Sequence, residues 1–90
     1  MKLKYNFVIN DVAGSTVAVA VGDDATSFNG FLKMNSTGAE IFNLLKNDIS
    51  KEDLVGELKK IYPDEDDLKL NKSVEEFLTE LSQAGVLNNA

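Results

Sequence analysis

The side chains of this sequence best equipped for chemistry are its clustered acids, two neighbouring hydroxyls and one lysine. Asp64-Glu65-Asp66-Asp67 is the densest group, and carboxylates so gathered would suit a hard cation. An EF-hand loop takes oxygen ligands from positions 1, 3 and 5 and a Gly at position 6. Counted from Asp64, positions 5 and 6 are Leu68 and Lys69, so the motif is not met. Acids ahead of an apolar-periodic segment are instead what a helix N-terminus attracts, each contributing about 0.3–1 kcal/mol against the helix dipole. Asp23-Asp24 is a paired carboxylate without an identifiable acid or base partner, and reads as a solvated turn. Ser36 and Thr37 as nucleophiles lack a His base, and Lys33 as a base would need burial that nothing around it predicts. Both hydroxyls suit helix caps better.

The absences narrow the field further. The 90-residue chain has no Cys, no His and no Trp, and all nine basic residues are Lys. Without Cys there is no disulfide, thiolate metal site or thiol nucleophile. Without His the commonest general base near neutral pH is gone. Without Arg there is no bidentate fork for phosphate or base edges. No catalytic residue, metal site or cofactor is assigned, and a binding module is expected rather than an enzyme. The longest apolar stretch, Val17-Ala18-Val19-Ala20-Val21, is far short of the ~18 residues that span a bilayer. Lys2 and Lys4 imitate the start of an export signal, but Asn6, Asn10 and Asp11 interrupt the apolar run that should follow. A cytoplasmic protein with no membrane partner is expected.

Charge and periodicity change together along the chain. Residues 1–35 hold three Lys against three Asp, while residues 36–90 hold six Lys against twelve acids, so the net charge of −6 lies in the second part. The first part alternates as strands do. Tyr5, Phe7 and Ile9 alternate with Lys4, Asn6 and Asn10, apart from an apolar Val8, and Asp11-Val12-Ala13-Gly14 has turn chemistry. Residues 15–21 are β-branched at 16, 17, 19 and 21, with Ala18 and Ala20 between. A polar loop over 22–27 precedes a third alternation from Phe28 to Met34, in which Gly30 suggests a bulge or a close backbone approach. The second part has the 3.6-residue period of helices. Asn35, Ser36 and Thr37 are candidate caps for the first, with Thr37 and Glu40 spaced as a capping box. Ser50 with Asp53 opens the second, which Pro63 ends. Leu70, Val74, Phe77, Leu78 and Leu81 stripe the third, which Gly85 closes. The predicted fold is α+β and winged-helix-like: an N-terminal three-stranded antiparallel β-meander followed by three α-helices, as a single domain over 1–90.

A winged helix usually suggests nucleic acid. Here the reading helix would carry Lys69 and Lys72 against Glu75, Glu76 and Glu80, the wrong balance for neutralising phosphates. The strand over 28–33 is the other candidate. If it lies at the sheet edge, its unpaired N–H and C=O groups can accept a peptide as a further strand, or a second copy of the chain as a homodimer. On their own, Phe28 and Phe31 read as core.

The run Phe28-Asn29-Gly30-Phe31-Leu32-Lys33-Met34-Asn35-Ser36-Thr37-Gly38-Ala39-Glu40-Ile41-Phe42-Asn43-Leu44-Leu45 resembles the central signature of PqqD-like proteins. In that signature a strand with a mid-strand Gly leads through Leu/Met-Asn to a helix opening on Ser/Thr-x-Ala/Gly and continuing Ile-Trp/Phe. Ile49-Ser50-Lys51-Glu52-Asp53-Leu54 is similar to the family's entry into its second helix, and Val74-Glu75-Glu76-Phe77-Leu78-Thr79-Glu80-Leu81 with Ala84-Gly85-Val86-Leu87 to its third helix and closing turn. Phe42 stands where the family commonly has Trp. The resemblance implies a non-catalytic peptide chaperone. Such a domain binds the leader of a ribosomally made precursor peptide by strand addition and presents it to a modifying enzyme, often a radical SAM protein. The implied cleft lies between the third strand and the third helix. Its implied contacts are Phe28, Asn29, Gly30, Phe31, Leu32 and Lys33 from the strand, with Lys72, Ser73, Glu76, Phe77 and Glu80 from the helix. Glu76 and Glu80 on that helix would favour a leader carrying Lys or Arg. The competing expectations are a winged-helix nucleic-acid binder and a structural partner-binding subunit of the same fold. An acidic carrier protein fits less well, because Asp48-Ile49-Ser50 separates the acid from the attachment Ser and the N-terminal part is strand-rich.

Overall fold

The computed structural model describes residues 1–28 and 30–88. Its elements in chain order are β1 (Lys2–Leu3), β2 (Phe7–Val12), β3 (Ser15–Ala20), α1 (Asp24–Ser27), β4 (Phe31–Met34), α2 (Ser36–Leu44), α3 (Lys51–Ile61), α4 (Asp67–Gln83) and β5 (Leu87–Asn88). The expected meander is β2-β3-β4, antiparallel throughout, and the expected helices are α2 to α4. Two features go beyond the sequence reading. The loop after β3 contains the helical turn α1, and β1 and β5 pair antiparallel as a second, two-stranded sheet. Segments of two residues carry no readable period, so that sheet had no sequence signal. It is fixed instead by tertiary bonds: Leu3 N donates to Leu45 O at 2.9 Å and Lys4 N to Val86 O at 2.7 Å. Beside it the Met1 ammonium lies 2.8 Å from Asp48 Oδ1 and, by hydrogen bond and charge, holds that exposed carboxyl below its usual range.

The β2–β3 hairpin turns on Ala13 and Gly14, both at positive φ (51° and 82°), between the paired Val12 and Ser15. Two central residues of this kind match the strand twist, as in a type I′ turn. One face of the sheet is covered: Phe7, Ala18, Ala20 and Met34 are buried on it. The small alanines are thus on the covered side of β3, and their size leaves volume for the rings of Phe7 and Phe42 in the same core. Val8, Val19 and Phe31 lie on the opposite face, all exposed, and the register sets them side by side across the three strands. The core is finished by the helices, with Ile41, Phe42, Leu45, Leu54, Leu58 and Val74 fully buried.

Helix ends follow the caps, with one correction. Ser50 Oγ accepts from Asp53 N at 3.1 Å and starts α3 as expected. At α2 the expected Thr37–Glu40 capping box is not the start signal. Asn35 is the N-cap, its Oδ1 accepting from Gly38 N at 2.8 Å. The helix begins earlier because β4 ends at Met34: Asn35 keeps the extended backbone of an N-cap, and Ser36 is the first helical residue. The acids ahead of α4 act structurally: Asp66 is its N-cap, Asp67 pairs with Lys59 at 2.9 Å, and Glu65 pairs with Lys69 at 3.7 Å. Gly85, at φ 75°, lets Val86 N reach Leu81 O and its own N–H reach Ser82 O, both at 3.1 Å. This is a Schellman closure, and it carries Val86 into the core.

The two faces of the sheet give opposite predictions. Phe42 is fully buried with its ring centroid 5.1 Å from that of Phe7. Phe42→Ala should cost about 3–5 kcal/mol. Phe31 is 64% exposed, and Phe31→Ala should stay within about 0.5 kcal/mol of the parent chain. Urea denaturation of both variants checks the pair.

Candidate functional site

β4 is an edge strand. Its register with β3 runs from Val19↔Phe31 to Thr16↔Met34, and among the described residues no strand pairs with its other side. In an antiparallel ladder alternate residues of such a strand turn their N–H and C=O groups away from the sheet. The chain passes from β4 through the Asn35 cap directly into α2, and α4 crosses nearby. Between them lies a cleft of about 320 Å³. Lys33, Met34, Asn35, Thr37, Gly38 and Ile41 form one wall, and Ser73, Glu76, Phe77 and Glu80 the other.

Gly38 sets the width of this cleft. A Cβ on Gly38 would lie 3.0 Å from Phe77 Cε1 and 3.2 Å from both Met34 Cβ and Asn35 Oδ1. Glycine lets the first turn of α2 approach α4 this closely without a neighbour having to give, whereas a Cβ would need Phe77, Met34 or Asn35 to shift by a few tenths of an ångström. The floor is apolar, with Met34 and Ile41 buried and Phe77 half-buried. The rim is charged. On α4, Asp67 and Glu75 are paired with Lys59 and Lys51 of α3. Glu76, Glu80 and, on the other wall, Lys33 have no ion-pair partner among the described residues. Groups of three or more His, Cys, Asp or Glu that could hold a metal ion are absent among the described residues, and no helix there is long and apolar enough to cross a membrane.

The structure brings five of the expected contacts to the cleft: Lys33, Ser73, Glu76, Phe77 and Glu80. The others are placed elsewhere. Phe28 is half-buried in an aromatic cluster, its ring 5.6 Å from Phe7 and stacked 6.4 Å from Tyr5. Gly30 precedes the strand instead of lying within it. Its φ of 123° is a glycine conformation, but a Cβ there would meet nothing, so no close backbone approach explains it. Phe31 stands on the outer face beside Val19, which corrects its reading as core. Leu32 alternates to the covered face, half-buried against the core. Lys72 is exposed on α4 outside the cleft lining. Asn29 lies outside the described residues. Sequence reasoning missed Met34, Asn35, Thr37, Gly38 and Ile41. Their signal was the strand-to-helix junction itself: a cap and a glycine three residues apart.

Comparison with other proteins follows the same lines. A solved structure described as "TbiB1 in Complex with the TbiA(beta) Leader Peptide" shares the fold with a TM-score of 0.72 and 18% identity, over 100% of this chain and 98% of that one. Among curated proteins no significant match is found. The family described as Coenzyme PQQ synthesis protein D (PqqD) matches residues 8–87, nearly the whole of the strand and helix order built above. The chain belongs to the PqqD family.

Proposed function

We propose that this chain is a non-catalytic peptide-binding module. It takes the leader of a ribosomally made precursor peptide as an added strand on β4, beside α4, and presents it to a modifying enzyme such as a radical SAM protein. The observation that carries the reading is the free edge of β4 ending at the mouth of a cleft with an apolar floor. Strand addition draws affinity from main-chain hydrogen bonds and specificity from pockets for alternate side chains, and this arrangement offers both. It requires no His, Cys or Arg, which the chain lacks. Family membership and the fold shared with a protein solved in complex with a leader peptide support the same reading.

The direct test is an amide-shift NMR titration of the full chain with synthetic leader segments from precursor peptides encoded beside its gene. Shifts should concentrate at residues 31–38 and 73–80. Shifts confined to other surfaces, or none with any segment, would overturn the proposal. A binding segment N-methylated at the alternate positions that pair with β4 should lose about tenfold or more in affinity, since each main-chain hydrogen bond contributes about 0.5–1.5 kcal/mol. Methylation at the intervening positions should have little effect.

Gly38→Ala tests the geometry of the cleft. The added methyl gains up to about 1 kcal/mol in helix propensity, against an overpacking cost of about 1–3 kcal/mol where it meets Phe77. Relief by the Phe77 ring swinging into the cleft should leave the far-ultraviolet circular dichroism unchanged. Leader affinity should fall roughly tenfold, the size of about 1.4 kcal/mol of lost fit.

A further inference from the structure

The four acids of α4 divide into two pairs. Asp67 and Glu75 are neutralised by Lys59 and Lys51 from α3. Glu76 and Glu80 have no cation partner among the described residues, and they are the two that line the cleft. Lys72, one turn earlier on the same helix, does not come within ion-pair distance of Glu76. Across the cleft the strand side contributes one basic residue to the lining, Lys33. The charged residues that line the cleft are two acids on the helix side and one base on the strand side.

The spacing adds to the charge. Residues four apart on a helix are separated by about 6 Å along its axis, and alternate residues of an extended strand by about 6.6–6.8 Å. Resting on the peptide-binding reading above, we infer that the cleft selects a peptide carrying Lys or Arg at two alternate positions that face α4, one meeting Glu76 and the other Glu80. Glu76 and Glu80 are both exposed, so each such pair contributes in the surface range of about 0.2–1 kcal/mol. A peptide with acids at those positions meets like charge and is rejected.

The experiment is display selection of a randomised 12-residue peptide library on the full chain. Winners are mapped by NMR and their affinities measured by fluorescence anisotropy. Three proteins are compared: the parent chain, the double variant Glu76→Gln with Glu80→Gln, and a charge-matched control, Glu52→Gln with Asp64→Asn, whose side chains lie outside the cleft lining. Cleft-mapping winners should be enriched in Lys or Arg at positions i and i+2. Their affinity should drop roughly three- to tenfold on Glu76→Gln with Glu80→Gln, the range of two partly screened ion pairs, and by less than about twofold on the control. Cleft-mapping winners without basic enrichment, enrichment that survives in the Glu76→Gln, Glu80→Gln variant, or an equal loss on the control would each overturn this inference and leave the peptide-binding reading standing. If no peptide maps to the cleft, both fall.

Discussion

Where α2 meets α4, Gly38 and Phe77 touch with no room for a methyl group between them, and the geometry of the candidate site depends on that contact. Gly38 is tied through its N–H to Asn35, the residue at which the chain leaves β4, so the contact sets the end of the strand against the helix. It gives the cleft its width and keeps the Phe77 ring in its floor. On the other side of β4, pairing with β3 fixes which residues face inward: Leu32 and Met34 toward the core, Phe31 and Lys33 away from it. One close contact and one ladder thus hold an unpaired strand edge beside an apolar trough.

The electrostatics are distributed with equal economy. Much of the acidity around α3 and α4 has a structural account: Asp66 caps α4, while Asp67 and Glu75 tie it to α3, and Glu52 and Asp53 sit in the first turn of α3 opposite Lys59 and Lys60 in its last. Lys59 also donates to the carbonyl of Glu65 at 2.6 Å, fastening the turn between those helices. Among the acids of α4, Glu76 and Glu80 have no ion-pair partner among the described residues, and they lie at the cleft.

Much of this could be read from residue order. The strand-then-helix architecture, the Ser50 cap, the stop at Pro63 and the Gly85 closure all depend on interactions within a few residues, so local sequence specifies them. The errors occur where local signals compete. Asn35, Ser36 and Thr37 are all competent caps, and the choice fell to Asn35 because the β3–β4 ladder runs through Met34. Phe28 and Phe31 look alike in sequence. One is drawn into the ring cluster of Tyr5 and Phe7, and the other is turned to solvent by the pleat of a strand that starts three residues later than its alternation suggests.

By itself the sequence determined the chemical alphabet and the elements. A chain without Cys, His or Arg is left with backbone pairing, apolar pockets and the charges of Lys, Asp and Glu, and its periodicity orders three strands before three helices. Only the tertiary structure decided that β4 lies at an edge, that Gly38 rather than Gly30 is the glycine under steric demand, and that two of the four acids on α4 have no ion-pair partner among the described residues. Each of these depends on which distant segments come into contact. An edge with no neighbour strand among the described residues, a glycine whose added Cβ would lie 3.0 Å from a ring on another helix, and a lysine supplied by another helix are relations between elements, and no local pattern encodes them.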